Sequence, residues 1–246
     1  MRKTIIPLAL IILWGCSAKV DTTLFAPDEH FNYAFSLYEN EDYDLAVREF
    51  QSILLQYPGS TVNDDAQFYL ASTYFNRAQY LLSVYEFAKL LRDIPTSPFV
   101  PQSQFMLAEA YYRLSPPFAL DQAYTKKAIE EFQAFIDFFP TDDRVEEAEN
   151  KIAELNSKLA LKKYNSGVIY EKMEYYIAAS KYFDEVADKF HDTEYAPLAL
   201  YKKINIAVGK DKKAEALTDI ALFISRYPDN QYAAELKSLE ESLLNQ

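Results

Sequence analysis

The sequence predicts an all-α solenoid, a stack of helical pairs, and three observations carry that prediction. Phe31, Phe68 and Phe105 stand 37 residues apart, as do Tyr38, Phe75 and Tyr112, with Ala34, Ala71 and Ala108 in the same register. A spacing kept at three positions through three copies marks a structural repeat, and such periods belong to repeat architectures. Apolar residues also fall at helical spacing, as in Phe31, Ala34, Phe35 and Tyr38 (i, i+3, i+4, i+7). Finally, the chain has only 4 Gly among 246 residues, and proline-bearing breaks recur at Pro58, Pro95, Pro140 and Pro228. Few Gly favours helix, where each costs about 1 kcal/mol relative to Ala. Proline ends one because it has no N–H to donate and restricts the residue before it.

The N-terminus comes first. Arg2 and Lys3 precede an apolar run from Ile5 to Leu13, too short for the roughly 20 residues that span a bilayer. This is the pattern of a signal peptide over residues 1–15. Leu13-Trp14-Gly15-Cys16-Ser17 follows and resembles a bacterial lipobox, with Trp14 bulkier than the usual residue there. That resemblance makes Cys16 the lipidated first residue of the mature chain. Each buried acyl methylene contributes about 0.8 kcal/mol to membrane attachment. Ser17 after the Cys resembles an outer-membrane destination. Cys16 is also the single Cys of the sequence, so no internal disulfide is expected. Residues 16–26 read as a lipidated tether.

Helical pairs are predicted from Pro27 onward. The first runs Asp28 to Glu39 and Asp44 to Gln56. The second runs Asp64 to Asn76 and Leu81 to Arg92. The third starts after Pro101, ends at Arg113 and resumes at Ala123 to Phe138. An insertion, Ser115 to Gln122, separates its two helices. Asp142 to Lys172 has no Pro and a single Gly, and reads as one long helix whose second half opens the fourth pair. Ile177 to Lys189 completes that pair. Tyr195 to Val208 and Lys212 to Arg226 make the fifth. A charged last helix, Tyr232 to Leu244, suits a cap on the array. The expected organisation is an N-terminal half, residues 27–141, and a C-terminal half, residues 142–246, that begins with the long helix.

These pairs resemble tetratricopeptide (TPR) repeats. The matching residues are Ala34, Leu37, Tyr43, Ala46, Phe50 and Pro58, then Ala71, Tyr74, Tyr80, Phe87 and Pro95, then Ala108, Tyr111, Ala128, Phe132 and Pro140. The fourth repeat has Gly167, Tyr170, Tyr176, Ala179 and Phe183, with His191 in place of the Pro, and the fifth keeps Ala216 and Pro228. A small residue lets two helices approach and an aromatic fills the gap. The resemblance implies five helix pairs plus a C-terminal capping helix. It also turns Phe31, Phe35, Tyr38, Phe68, Phe75, Phe105 and Tyr112 toward the concave side, as an aromatic groove for an extended peptide. An aromatic stripe at this spacing also fits a plain core.

The insertion narrows the family. Ser115-Pro116-Pro117, Leu120-Asp121-Gln122, Thr125, Phe132-Gln133 and Pro140 resemble the BamD family of outer-membrane assembly lipoproteins. Ser115, Pro116, Leu120, Asp121 and Gln122 are its signature here. The local reading is simpler: Asp121 caps the next helix and the two prolines stiffen the loop. The resemblance implies a subunit of the β-barrel assembly machinery on the periplasmic face of the outer membrane. Its implied partners are a BamA-like barrel subunit, other lipoproteins, the C-termini of unfolded outer-membrane proteins, and the membrane itself through lipid.

Composition excludes other classes. A formal charge of −12 argues against non-specific nucleic-acid binding, which needs a basic footprint. His30 and His191 show no metal-ligand spacing and are expected at the surface. No cofactor, no metal and no catalytic constellation is expected, so an enzyme is not. Two other readings share the solenoid: a general periplasmic TPR adaptor lipoprotein for envelope assembly, which lacks the insertion signature, and a SusD-like glycan binder, whose chains are far longer.

Overall fold

The computed structural model describes residues 21–245. The signal segment 1–15, Cys16 and the first part of the tether lie outside the described residues. Within them are eleven helices and no strand: α1 (Pro27–Glu39), α2 (Tyr43–Gln56), α3 (Asn63–Asn76), α4 (Tyr80–Asp93), α5 (Val100–Leu114), α6 (Ala123–Phe138), α7 (Val145–Lys172), α8 (Tyr176–Lys189), α9 (Tyr195–Gly209), α10 (Lys213–Arg226) and α11 (Ala233–Leu244). Five pairs and a closing helix are what the repeat predicts. Each helix packs on the next in sequence, and α1 also touches α3, as α7 touches α9.

The small residues do what the pattern asks. Ala34, Ala71 and Ala108 have no exposed surface, and Phe50, Phe87, Phe132 and Phe183 of the second helices are likewise fully buried. Each such burial contributes about 1.5–3 kcal/mol. The fourth pair is the tightest, since a Cβ added at Gly167 would stand 2.6 Å from Phe183 Cε1. The fifth pair is built from Ile220 and Phe223, both fully buried. That order inverts the Phe50…Ile53 pattern of the first pair and hides the repeat from motif matching.

Four of the turns within pairs are alike. Glu41, Ala78, Glu174 and Asp211 have φ of 60°, 56°, 62° and 58°. The following N–H groups, of Asp42, Gln79, Tyr175 and Lys212, each donate back 2.9 Å to the carbonyls of Leu37, Tyr74, Tyr170 and Ala207. This is the Schellman closure that satisfies the last carbonyls of a helix. It uses no glycine, although left-handed backbone costs other residues about 1–2 kcal/mol.

The third pair replaces that turn with the insertion, which is a strap rather than a free loop. Asp121 Oδ1 accepts the Ala123 N–H at 2.9 Å, an Asx turn one residue before the N-cap, Gln122, rather than the expected cap. Gln122 Nε2 donates to the carbonyls of Pro117 and Leu120, 3.0 Å each. From α7, Lys158 Nζ donates to Ser115 Oγ at 2.9 Å, and Lys162 Nζ donates to the Leu120 carbonyl at 2.7 Å.

The long helix α7 has 28 residues, about 42 Å at 1.5 Å per residue. It starts at Val145 rather than Asp142, because Asp142 instead forms the turn before it. The Asp142 carboxylate takes the Arg144 guanidinium at 2.7 and 2.8 Å and the Arg144 N–H at 3.0 Å. Those hydrogen bonds hold the Asp142 carboxyl down at about 2. Ala148 and Leu155 of α7 belong to the core of the third pair, and Ala160 to that of the fourth.

Candidate functional site

The aromatic register resolves into two kinds of residue. Phe31, Phe35 and Tyr38 line one face of α1 in a row: Phe31 and Phe35 stack at 5.9 Å and 15°, Phe35 and Tyr38 at 6.1 Å and 20°. All three are partly exposed. Tyr69 of α3 meets each of them, at 5.9, 4.8 and 5.3 Å between centroids. The four rings form one continuous platform between the first two pairs. Burial raises the pKa of the Tyr38 and Tyr69 phenols, and Asn76 Nδ2 donates to the Tyr38 hydroxyl at 3.2 Å.

Phe68 and Phe105 correct the groove expectation, because they are only 5% and 6% exposed. Phe68 is stacked under Phe99 at 4.5 Å and 14°. Phe105 lies edge-on to Phe132 and Phe135 at 5.6 and 5.2 Å, and the Arg144 guanidinium covers its ring at 5.1 Å. In both cases the next first helix, or the turn leading into it, closes over the ring. They are core. Phe75 is half-buried and turns to Tyr80 of its own pair, 5.3 Å away.

Tyr112 is half-buried and engaged by α7. Its hydroxyl donates to Glu154 at 2.6 Å and the Lys151 ammonium sits 4.4 Å from the ring centroid. The Glu154 hydrogen bond, with burial added, pushes the Tyr112 phenol up to about 12. Lys151 Nζ also lies 2.8 Å from Glu109 Oε2. The concave side at the third pair is therefore polar and committed to internal partners.

Two features escaped the sequence reading. Tyr69 is the hub of the platform, yet its positions one period away are Asn32 and Met106, so no register announces it. The second is a polar ladder one residue before the aromatic positions, buried at His30, Gln67 and Gln104 and partly exposed at Lys163. His30 Nε2 lies 2.8 Å from Glu49 Oε2, Gln67 Nε2 donates to Glu86 Oε2 at 2.8 Å, Gln104 Nε2 to Glu131 Oε2 at 2.9 Å, and Lys163 Nζ to Glu185 Oε2 at 2.9 Å. His30, Gln67 and Gln104 share the 37-residue spacing, a signal that was present. His30 is fully buried, not at the surface, whereas the His191 side chain is 63% exposed. Only Nε2 of His30 is paired: Nδ1 is buried with no hydrogen-bond partner among the described residues, and an unpaired buried polar group costs about 1–3 kcal/mol.

The described end of the tether stays off the platform. Phe25 packs edge-on against His30 and Tyr33, 6.1 Å each, and its carbonyl accepts the Tyr57 hydroxyl at 2.7 Å. Thr22 Oγ1 donates to Glu49 Oε2 at 3.1 Å. No cluster of His, Cys, Asp or Glu among the described residues could hold a metal ion. No described helix is long and apolar enough to cross a membrane. Four rings within about 6 Å offer faces and edges to a further aromatic side chain, each such pair contributing about 0.5–1.5 kcal/mol.

Stacked helix pairs of this pattern define the chain as a TPR-type solenoid. The chain belongs to the outer membrane lipoprotein family YfiO, whose pattern it matches over residues 25–215. It is similar to the outer membrane protein assembly factor BamD of Rickettsia prowazekii (strain Madrid E), 26% identical over 226 residues that cover 90% of this chain and 89% of that one. Among solved structures, a thermophilic TPR protein of Thermus thermophilus aligns with a TM-score of 0.39 and 18% identity, covering 90% of this chain and 100% of its own. The TPR2AB domain of yeast Sti1 aligns with a TM-score of 0.40 and 12% identity, covering 88% and 98%.

Proposed function

We propose that this protein is a lipid-anchored periplasmic subunit of the machinery that assembles β-barrel proteins in the outer membrane. In this reading the N-terminal pairs hold the aromatic-ended C-terminal strand of an unfolded barrel protein, and the C-terminal pairs dock on the periplasmic domains of a BamA-like subunit. Lipid on Cys16 holds the protein to the inner face of the outer membrane. The role is one of binding, without catalysis. Membership in the outer membrane lipoprotein family and the similarity to an assembly factor support the setting. The observation that carries the client site is the partly exposed platform of Phe31, Phe35, Tyr38 and Tyr69.

The test is photocrosslinking of a barrel C-terminal peptide ending in Phe to the full chain. The triple variant Phe31→Ala, Phe35→Ala, Tyr38→Ala should lose at least tenfold in crosslinking with its helicity kept. Unchanged crosslinking would sink the client site. For the anchor, Cys16→Ala should release the chain from the membrane fraction, and continued fractionation with membranes counts against it.

A further inference from the structure

A second surface lies in the C-terminal half. Between α8 and α10 opens a cavity of about 1280 Å³. Small residues keep the walls apart: Ala178 on α8, and Ala214 and Thr218 on α10. Its floor is α9, through Ile206 and Ala207. At its rim Ile177 is 89% exposed and Tyr175 58%, side chains that cost solvation unless something covers them.

The dimensions select an occupant. The helical walls run over residues 176–184 of α8 and 213–219 of α10, about 14 and 11 Å at 1.5 Å per residue. An α-helix 10–12 Å wide and of that length fills about 900–1600 Å³. Pockets for small ligands hold about 300–1000 Å³.

The charges select its chemistry. Lys203 is taken by Asp184 and Asp219, the latter at 3.1 Å, and Lys212 by Glu215 at 3.0 Å. Lys181 has no acidic partner among the described residues. The Lys210 ammonium rests over the Tyr176 ring, 3.9 Å from its centroid. Glu174, at the turn, is the remaining lining acid. Helix α8 begins at this mouth with no side-chain cap and no acid in its first turn, so its free N–H groups and positive dipole end add to the two lysines.

We infer that the cleft between α8 and α10 receives two to three turns of an amphipathic α-helix from a partner protein. Its apolar side packs against Ile177 and Tyr175, and its acidic flank meets Lys181 and Lys210. This stands apart from the client platform and holds whichever protein supplies the helix.

The probe is a helix-stapled peptide of four turns with a leucine stripe and glutamate flanks, titrated by fluorescence anisotropy into the full chain. Two companions carry lysine flanks, or the same composition broken by proline. The glutamate helix should bind saturably, and both companions at least tenfold more weakly. Ile177→Asp, at a side chain almost wholly in solvent, should weaken binding at least tenfold without changing the circular dichroism. Lys181→Glu with Lys210→Glu should reverse the flank preference. The inference fails if the glutamate helix does not saturate, if the proline peptide binds as well, or if Ile177→Asp has no effect. It also fails if the chain self-associates with loss of the cleft, which would give that surface to a second copy.

Discussion

The first and third pairs carry the same aromatic register and put it to different use. At the first pair Phe31, Phe35 and Tyr38 stay partly exposed, and across the pair boundary they meet Tyr69 and, at the Tyr38 hydroxyl, Asn76. At the third, Phe105 is sealed by Arg144 and Tyr112 is claimed by Glu154 and Lys151. Periodicity decides which face of a helix a residue occupies. The element that follows decides whether that face is open. After the third pair the following element is α7, whose first half engages Tyr112 through Lys151 and Glu154.

The largest expected effect breaks the comparison at its core member. Phe105→Ala should cost about 3–5 kcal/mol, seen as a lower urea midpoint, while Phe35→Ala should cost about 1 kcal/mol. Equal losses would mean the two faces are not different. Next in size is Gly167→Ala. The methyl meets Phe183 at 2.6 Å, and overpacking of about 1–3 kcal/mol outweighs the helix propensity gained by Ala, about 1 kcal/mol. A net loss of up to about 2 kcal/mol should appear as a lower melting temperature. Stabilisation would show that the fourth pair can open where the first three, built on alanine, need not.

For binding, Phe35→Ala alone should weaken an aromatic-ended peptide severalfold by anisotropy. Tyr112→Phe, on the committed face, should leave binding unchanged. The smallest effect is a titration. Glu154→Gln should bring the Tyr112 phenol down from about 12 toward its ordinary value near 10, followed by NMR of labelled tyrosine ring carbon. The sign follows from the raised pKa: the Tyr112–Glu154 contact stabilises the fold below the ordinary tyrosine pKa and is lost as pH rises through about 12.

Much of the architecture was legible because its causes are local. The alanine register, the second-helix phenylalanines and the proline stops are each a helix-level property, and the first three pairs followed from them; the fourth has Gly167 and His191 in place of the Ala and Pro, and the fifth keeps only Ala216 and Pro228. Exposure was not legible. Phe68 is covered by Phe99 and Phe105 by Arg144, contacts between residues that share no periodic relation. Tyr69 was missed because it is aromatic in only one repeat. His30 was misplaced at the surface because a lone histidine gives no sign of its partner. The match of His30, Gln67 and Gln104 in register, facing Glu49, Glu86 and Glu131, would have placed it inside.

The strap from Ser115 to Gln122 and the unbroken α7 bear on how the array comes apart. A repeat array is held by contacts between neighbours, so its weakest junction is where it frays or is first cut by protease. Between the third and fourth pairs a single helix serves both cores, and two of its lysines grip the loop before it. That junction cannot open without unwinding α7 itself. Fraying is left to the outer boundaries of the array, so tension applied between its two ends is carried through its middle undivided.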